Sequence, residues 1–179
     1  MSPNISSTPL IRPYQDQDHH AVRDLFLRVN RGLAPASMRD RFEAYIALAL
    51  REEIDRIGDY YDPARGGGFW VAVEGETVVG TYGLEPGGAG AFELRRMYVD
   101  PAHRRRGIGA LLLSHAEATA RSKGASKLVL STSELQTAAI ALYNAAGYRL
   151  MREVVAAQAS NKTVGGGIRR FEFEKSFTS

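Results

Sequence analysis

The sequence predicts an α/β fold in which helices flank a mixed, largely antiparallel central sheet. Three observations lead to this prediction: three consecutive β-rich segments in the middle of the chain, segments of helical periodicity on either side, and two β-rich segments near the C-terminus. The element order is β-α-α-β-β-β-α-β-α-β-β, and residues 9–179 contain no repeat or linker, so we expect a single domain. Residues 1–8 are expected to form a flexible leader.

The N-terminal third predicts one short strand and two helices. The strand covers Pro9–Tyr14, and Asp16 or Asp18 is a candidate N-cap for the first helix. Apolar residues follow at helical spacing until Asn30–Gly32, which should end this helix. A longer helix is predicted over Ser37–Ile57, closed by the glycine that follows it.

A glycine-rich loop over residues 59–68 precedes the central strands. Its Tyr60-Tyr61-Asp62 sequence favours a solvent-exposed turn, with an amine-binding pocket as the alternative. Turns at Glu74–Glu76 and Pro86–Gly90 separate the three β-rich segments. The predicted strands are Phe69–Val73, Thr77–Leu84, Phe92–Val99, Lys127–Ser131, Tyr148–Ala156 and Ile168–Phe177, and the predicted helices cover 107–123 and Leu135–Ala146.

The composition is that of an ordinary globular protein. The chain has 179 residues, 44% of them hydrophobic and 24% charged, with a net charge of +3 and no cysteine. No apolar run approaches the ~18 residues that a membrane span needs, and the N-terminus lacks a signal-peptide pattern. These features predict a cytoplasmic protein. The histidines do not fall at metal-ligand spacing, so no metal site is expected.

The most informative segment follows the third central strand. It contains three consecutive arginines and then two glycines where a helix is predicted to begin, in the pattern Arg104-x-x-Gly107-x-Gly109. The first turn of a helix has backbone N–H groups without partners and a positive dipole end, and glycine lets a ligand approach closely. Arginines beside this turn add charge and forked donors, so the segment suits a phosphate or diphosphate.

Two other phosphate-binding patterns are excluded. The segment lacks the Gly-x4-Gly-Lys-Ser/Thr of a Walker A loop, and Leu112 stands where a dinucleotide fingerprint needs its third glycine. The pattern instead resembles the Gln/Arg-x-x-Gly-x-Gly/Ala motif of the GNAT acetyltransferases. A second similarity lies in Leu142-Tyr143-x3-Gly147-Tyr148, which resembles the Leu-Tyr-x3-Gly-Phe/Tyr signature of the same superfamily.

The resemblance implies acetyl-CoA as co-substrate and two residues with catalytic roles. Glu93 matches the position of the general base of several relatives, although an edge-exposed, ion-paired glutamate is an equal alternative. Tyr143 matches the general acid that protonates the CoA thiolate. The core stripe of its predicted helix runs through Leu135, Ala138, Leu142 and Ala145 and leaves Tyr143 outside it.

The resemblance also implies a set of CoA-binding positions. The backbone of Met97 and Val99 would bind the pantetheine arm, and one of their N–H groups would polarise the thioester carbonyl. Ser133 is a candidate CoA contact, with an N-cap role as the alternative. The diphosphate would be surrounded by Arg104, Arg105, Arg106, Gly107, Ile108, Gly109 and Ala110, with Ile108 anchored in the core.

The expected function is transfer of an acetyl group to a primary amine by direct attack in a ternary complex. Without cysteine, a cysteinyl intermediate is impossible. The alternative from another class is a catalytically silent CoA-binding regulatory module. Nucleic-acid binding would need more basic and aromatic residues beside the arginines. The acceptor, a small molecule or a protein amine, stays open, as does the formation of a homodimer.

Overall fold

A seven-stranded mixed sheet organises the residues that the computed structural model describes, 7–177. The strand order is β1-β2-β3-β4-β5-β7-β6, and only the β4–β5 pair is parallel. The α/β class and the mixed sheet predicted from the sequence are confirmed, whereas most of the predicted leader, residues 1–6, lies outside the described residues. The strands are β1 Leu10–Pro13, β2 Gly68–Glu74, β3 Thr77–Gly88, β4 Ala91–Val99, β5 Lys127–Ser133, β6 Arg149–Ala156 and β7 Ile168–Ser176.

Helices cover both faces of the sheet. Alternation along β2 sends Phe69 and Val71 into a core shared with α1, while Trp70 and Ala72 join the core under α4. Within residues 7–177, no helix is long and apolar enough to cross a membrane. The helices are α1 His19–Leu33, α2 Arg39–Glu52, the single turn α3 Ile57–Tyr60, α4 Ile108–Ser122 and α5 Thr137–Ala145.

The first helix continues past its predicted stop. Asn30 is buried, and its side-chain amide donates to the carbonyl of Phe26 at 2.8 Å, so this residue stays within the helix. The helix ends instead at Ala34, whose extended backbone precedes Pro35. Proline disfavours a helical conformation in the residue before it, which makes it the stronger stop signal.

The predicted long helix 37–57 is interrupted. α2 ends at Glu52, because Glu53 leaves the helical conformation with φ −138° and ψ −63°. A 3₁₀ turn over Ile54–Arg56 and the short α3 follow, and Gly58 lies inside α3 instead of ending the helix. The break turns the Glu53 carboxylate into the protein, where it is fully buried.

The turn between β3 and β4 is shorter than the predicted turn at Pro86–Gly90, because β3 is longer than predicted. β3 extends to Gly88, and only Ala89 and Gly90 lie between the two strands. A register irregularity next to Pro86 accommodates the missing N–H of this proline within the strand.

The core stripe predicted for the last helix is wrong in part. Ala138 and Ala145 are exposed, whereas Tyr143 is the one residue of α5 that is fully buried. This helix is apolar nearly all round and rich in alanine, so periodicity alone could not determine which side faces the sheet. The residues that pack against the core are Ala139, Ile140, Leu142, Tyr143 and Ala146, so the predicted stripe is wrong at Ala138 and Ala145 and correct at Leu142.

The start of the last helix also differs from the prediction. Ser133 belongs to β5, and α5 begins at Thr137 with Gln136 as the N-cap residue. The Gln136 side chain instead accepts hydrogen bonds from the Thr132 hydroxyl at 3.0 Å and the Ser133 N–H at 3.2 Å. The N-cap role considered for the Ser133 hydroxyl is therefore not found.

Candidate active site

The central strands β4 and β5 separate halfway along their length. Their parallel pairing covers four residue pairs and ends with Leu94 opposite Leu130. Beyond this point β4 continues to Val99 and β5 to Ser133 without pairing to each other. Backbone groups around Met97 thus border a gap in the sheet, where an extended ligand can pair as an added strand.

A β-bulge lies where the strands separate. Pairing of β3 with β4 shifts between Gly83–Arg95 and Thr81–Tyr98, which leaves one extra residue on β4. Within this bulge Arg96 has a φ of +52°, a left-handed conformation that is uncommon outside glycine. The Thr81 hydroxyl donates to the Arg96 carbonyl at 2.8 Å and satisfies this displaced backbone group.

The N-terminus of α4 opens close to the same gap. Gly107 is the N-cap at φ +76°, a conformation that favours glycine, and it has no side chain to cap the helix. The first hydrogen bond of the helix runs from the Leu111 N–H to the Gly107 carbonyl, at 3.0 Å. The N–H groups before Leu111 therefore have no acceptor within the helix and suit an anion. A Cβ on Gly109 would lie 3.2 Å from Leu142, so glycine permits close packing on α5. Ala110 is exposed in the same turn.

The three arginines before this turn have different surroundings. Arg104 and Arg105 are exposed and form no ion pair with any residue from 7 to 177. Arg106 forms an ion pair with Glu74 of β2, so its side chain is directed towards that strand. Ile108 is 2% exposed and anchors the first turn in the core, as expected. The loop therefore offers two side-chain cations beside the open helix end.

The carboxylate before the loop holds it against α1. Asp100 accepts a hydrogen bond from the Ala102 N–H at 3.0 Å and forms an ion pair with Arg28 of α1 at 2.8 Å. These contacts fix the start of the segment between β4 and α4, because the carboxylate bonds both the turn itself and helix α1. The loop between β4 and α4 is thus held in position by the protein's own contacts.

A cavity of about 100 Å³ occupies the gap between β4 and β5. Phe42 and Tyr45 of α2 line one side of it, and residues 162–164 of the β6–β7 connection line another. Four of the residues predicted from the sequence meet here, whereas the arginine loop lies outside the lining. These four are Glu93, Met97, Ser133 and Tyr143.

Tyr143 reaches this cavity from α5. Its side chain is 5% exposed and packs edge-on against the Tyr148 ring, with the centroids 5.8 Å apart. No residue from 7 to 177 forms a hydrogen bond with its hydroxyl. Burial raises the pKa of Tyr143 far above its ordinary value, with a smaller contribution from Tyr98, so the hydroxyl keeps its proton. It is a protonated donor that is free to bond a ligand.

Glu93 projects into the cavity from β4 and is paired with a cation. The Lys162 ammonium lies 2.8 and 3.0 Å from its two carboxylate oxygens. Both side chains retain solvent contact, with Glu93 22% and Lys162 47% exposed. The pair therefore lies near the cavity opening, within reach of solvent.

A buried ion network behind the cavity was not predicted from the sequence. Glu53 is 0% exposed, and its carboxylate binds Arg95 at 3.1 Å and Arg96 at 2.6 and 2.8 Å. Regular strand alternation would direct two consecutive arginines to opposite faces, and the bulge at Arg96 lets both reach one carboxylate. The Tyr61 hydroxyl also donates to Glu53, and Arg96 donates to Tyr45 at 2.6 Å.

This network corrects the interpretation of the tyrosine-rich loop. Tyr61 is 2% exposed, and the Tyr60 hydroxyl accepts a hydrogen bond from Arg95, so the loop is not a solvent-exposed turn. Arg96 also donates to the carbonyl of Asn161 in the β6–β7 connection. The network thus joins α2, the bulge of β4 and the loop that carries Lys162. The only sequence signal for it was the pair of consecutive arginines, Arg95 and Arg96, inside a predicted strand.

The described part of the chain, 7–177, contains no cluster of three or more His, Asp or Glu side chains that could hold a metal ion. The polar side chains that line the cavity include hydroxyl, guanidinium and ammonium donors and the Glu93 carboxylate as an acceptor. With the helix N-terminus and the open strand, they fit an extended diphosphate thioester: the helix end suits the anion and the strand gap suits a peptide-like arm.

Comparison with known proteins identifies the family of this chain. Residues 19–148 match the family model described as the acetyltransferase (GNAT) family. N-acetyltransferase 8B of Rattus norvegicus is 36% identical over 110 residues, covering 59% of this chain and 50% of the relative. N-acetyltransferase 8 of Homo sapiens is 34% identical, covering 59% and 48%. The chain therefore spans about half the length of these curated relatives.

Solved structures share the fold across nearly the whole chain. A putative acetyltransferase of Salmonella typhimurium, solved with acetyl-CoA, has a TM-score of 0.72 at 20% identity and covers 97% of this chain and 96% of its own. A PaiA N-acetyltransferase of Thermoplasma acidophilum, in complex with coenzyme A, has a TM-score of 0.69 at 20% identity, covering 96% and 100%. With the family model matching most of its length, this chain belongs to the GNAT acetyltransferase family.

Proposed function

We propose that this protein transfers the acetyl group of acetyl-CoA to a primary amine in a ternary complex, with residues 9–179 acting as one catalytic domain. The observation that carries the proposal is the gap between β4 and β5, bordered by a protonated tyrosine, a carboxylate and an uncapped helix N-terminus. The curated relatives named N-acetyltransferases and the GNAT neighbours solved with coenzyme A or acetyl-CoA support it.

The phosphate loop and β4 hold the co-substrate in this proposal. Backbone N–H groups from Arg105 to Ala110 bind the diphosphate, and the exposed Arg104 and Arg105 side chains add charge. The backbone of Met97 and Val99 pairs with the pantetheine arm, and one of their N–H groups polarises the carbonyl that becomes an oxyanion. Ser133, on the β5 side of the cavity, is a further contact.

Two side chains move the protons. Acetyl-CoA supplies the acetyl group as an activated thioester. Glu93 accepts a proton from the amine, because only an uncharged amine can attack a carbonyl and amines have pKa values near ~10 in water. Tyr143 donates its proton to the departing thiolate. Its raised pKa does not prevent this step, since the burial that disfavours the ionised tyrosine also disfavours the charged thiolate.

The proposal is tested by measuring thiol release from acetyl-CoA against a library of primary amines. We expect release that depends on the amine and on enzyme concentration, with the acetylated amine identified by mass spectrometry. Acetyl-CoA binding without turnover on any amine would instead favour the silent binding module.

Replacement of Glu93 by Gln tests the role of this carboxylate as the general base. We expect kcat/KM near neutral pH to fall by about 10²-fold, the lower range for loss of a general base. The deficit should shrink as the pH approaches ~10, where the amine loses its proton without assistance. A deficit that stays constant with pH would remove Glu93 from proton transfer. Lys162→Gln is the control, because it removes the partner of Glu93 and keeps the carboxylate.

A further inference from the structure

The cavity between β4 and β5 is lined by more positive than negative side chains. Four of the described lining side chains are cationic and one is anionic, so the lining itself cannot supply every cation with a carboxylate. An amine acceptor is itself cationic in solution, and a wall of this sign does not attract it by charge alone. The cations are Arg95, Arg96, Lys162 and Arg170, and the anion is Glu93.

Three of the four cations have carboxylate partners. Lys162 pairs with Glu93, at 2.8 Å. Arg95 and Arg96 share the buried Glu53, at 3.1 and 2.6 Å. Arg95 also pairs with Glu85 at 3.5 Å, so each of these three cations has a carboxylate within ion-pair distance.

Arg170 of β7 is the exception. It is half-buried, and its Nε donates to the Ser131 hydroxyl at 3.1 Å. No carboxylate of residues 7–177 forms an ion pair with its guanidinium, and its two terminal nitrogens have no hydrogen-bond partner among these residues. Burial lowers the pKa of Arg170, Tyr45 and Tyr98 partly offset this change, and the positive charges of Arg96 and Arg95 add to it.

The position of Arg170 points to the acceptor instead of the co-substrate. It lies opposite Ser133 of β5 in the β5–β7 ladder, on the side of the gap away from β4. Ile168, two residues earlier on β7, packs into the core formed with α1 and α2. The arginine loop, residues 100–107, leads into α4, which packs on the other face of the sheet. Residues two apart on a strand share a face, so Arg170 faces the α2 side.

We propose that the acceptor is an amine that also carries a carboxylate, of the amino-acid class, and that Arg170 binds this carboxylate. This inference rests on the proposed function and names the substrate class of that same site. An arginine fork matches a carboxylate in a bidentate geometry, and a partly desolvated cation without a partner gains most from such a ligand. The carboxylate on Arg170 leaves the amine to reach Glu93 across the cavity that both residues line.

The test compares amino acids with analogues that lack the negative charge. Phenylalanine is measured against phenylalaninamide and 2-phenylethylamine, lysine against cadaverine, and 4-aminobutyrate against propylamine. We expect the carboxylate-bearing member of at least one set to exceed its analogues by 10²-fold or more in kcat/KM. A site built to bond a substrate group discriminates strongly against analogues without it.

Variants of neighbouring residues separate specificity from folding. Arg170→Gln is expected to abolish the preference by raising the KM of the carboxylate substrate about 10²-fold, with the KM of acetyl-CoA unchanged. Arg170→Lys should keep part of the preference, because it keeps the charge and loses the fork. Arg169→Gln is the control, since this adjacent arginine is exposed and paired with Glu134 and Glu153 outside the cavity.

The outcomes distinguish the two proposals. Equal rates for the wild-type protein on the members with and without a carboxylate, in every set, would overturn the carboxylate proposal and leave the acetyltransferase intact. So would an Arg170→Gln variant that loses activity equally on all members. Absence of thiol release with every amine would overturn the proposed function, and the substrate class with it.

Discussion

Among the substitutions considered, Glu53→Gln is expected to destabilise the protein most, lowering the free energy of unfolding by about 3–5 kcal/mol. The substitution keeps the shape of the side chain and removes the charge that Arg95 and Arg96 share. It leaves Arg96 without an ion pair among residues 7–177, while Arg95 keeps Glu85 at 3.5 Å. Both arginines are below 10% exposed, so neither can recover its hydration without opening the core. Urea denaturation of the variant and the wild-type protein measures the difference.

The loss should also depend on pH. Burial by itself raises the pKa of Glu53, and the hydrogen bond and charge of Arg96, followed by the charge of Arg95, lower it by more, to below its ordinary 4.5. A carboxylate with a lowered folded-state pKa contributes stability that is present above the ordinary value and is lost as the pH falls through the folded-state value. The wild-type advantage over the variant should therefore diminish below pH 4.5.

Glu43→Gln serves as the matched control, because Glu43 pairs with Arg31 on the surface, where both side chains are more than half exposed. We expect its melting temperature to equal that of the wild-type protein. If Glu53→Gln also leaves the melting temperature unchanged, the buried network does not hold α2 to the bulge as described.

Replacement of Tyr143 by Phe is expected to lower kcat by about 10²-fold or more, the usual range for loss of a positioned acid. The ring stays in place against Tyr148 and Phe173, and only the hydroxyl is removed. That hydroxyl has no bond to the described residues, so its loss leaves no protein group without a partner. Steady-state kinetics with saturating amine measures the effect.

Binding and folding should be unaffected by this change. We expect the affinity for acetyl-CoA, measured by calorimetry, to stay within about threefold of the wild-type value. Tyr148→Phe is the control: its hydroxyl bonds Glu117 at 3.0 Å and does not line the cavity. A Tyr143→Phe variant with wild-type kcat would exclude the hydroxyl from the rate-limiting chemistry.

The sequence predicts the features that depend on local pattern. The order of strands and helices, the glycine at the start of α4 and the burial of Ile108 all follow from periodicity and from the special conformations of glycine. The phase of α5 could not be predicted in this way, because alanines on every side make the helix equally apolar in each direction. Tyr143 was thus selected by resemblance and not by the predicted core stripe.

The features that depend on contacts distant in sequence could not be predicted. Glu53 and Arg96 lie 43 positions apart, and helical periodicity continues across Glu53, so the break becomes visible only once β4 is packed beside α2. Likewise, Arg170 has no distinguishing sequence context in an alternating strand. Its missing carboxylate partner appears only when all charges around the cavity are known.

In the proposed function, the helix N-terminus at Gly107 and the gap between β4 and β5 together bind coenzyme A. A crystal structure of the chain with acetyl-CoA tests it most directly. We expect the diphosphate within hydrogen-bonding distance of the N–H groups of residues 105–110, and the pantetheine arm alongside Met97–Val99. A diphosphate bound elsewhere, or a gap closed by pairing of residues 95–99 with 131–133, would contradict it.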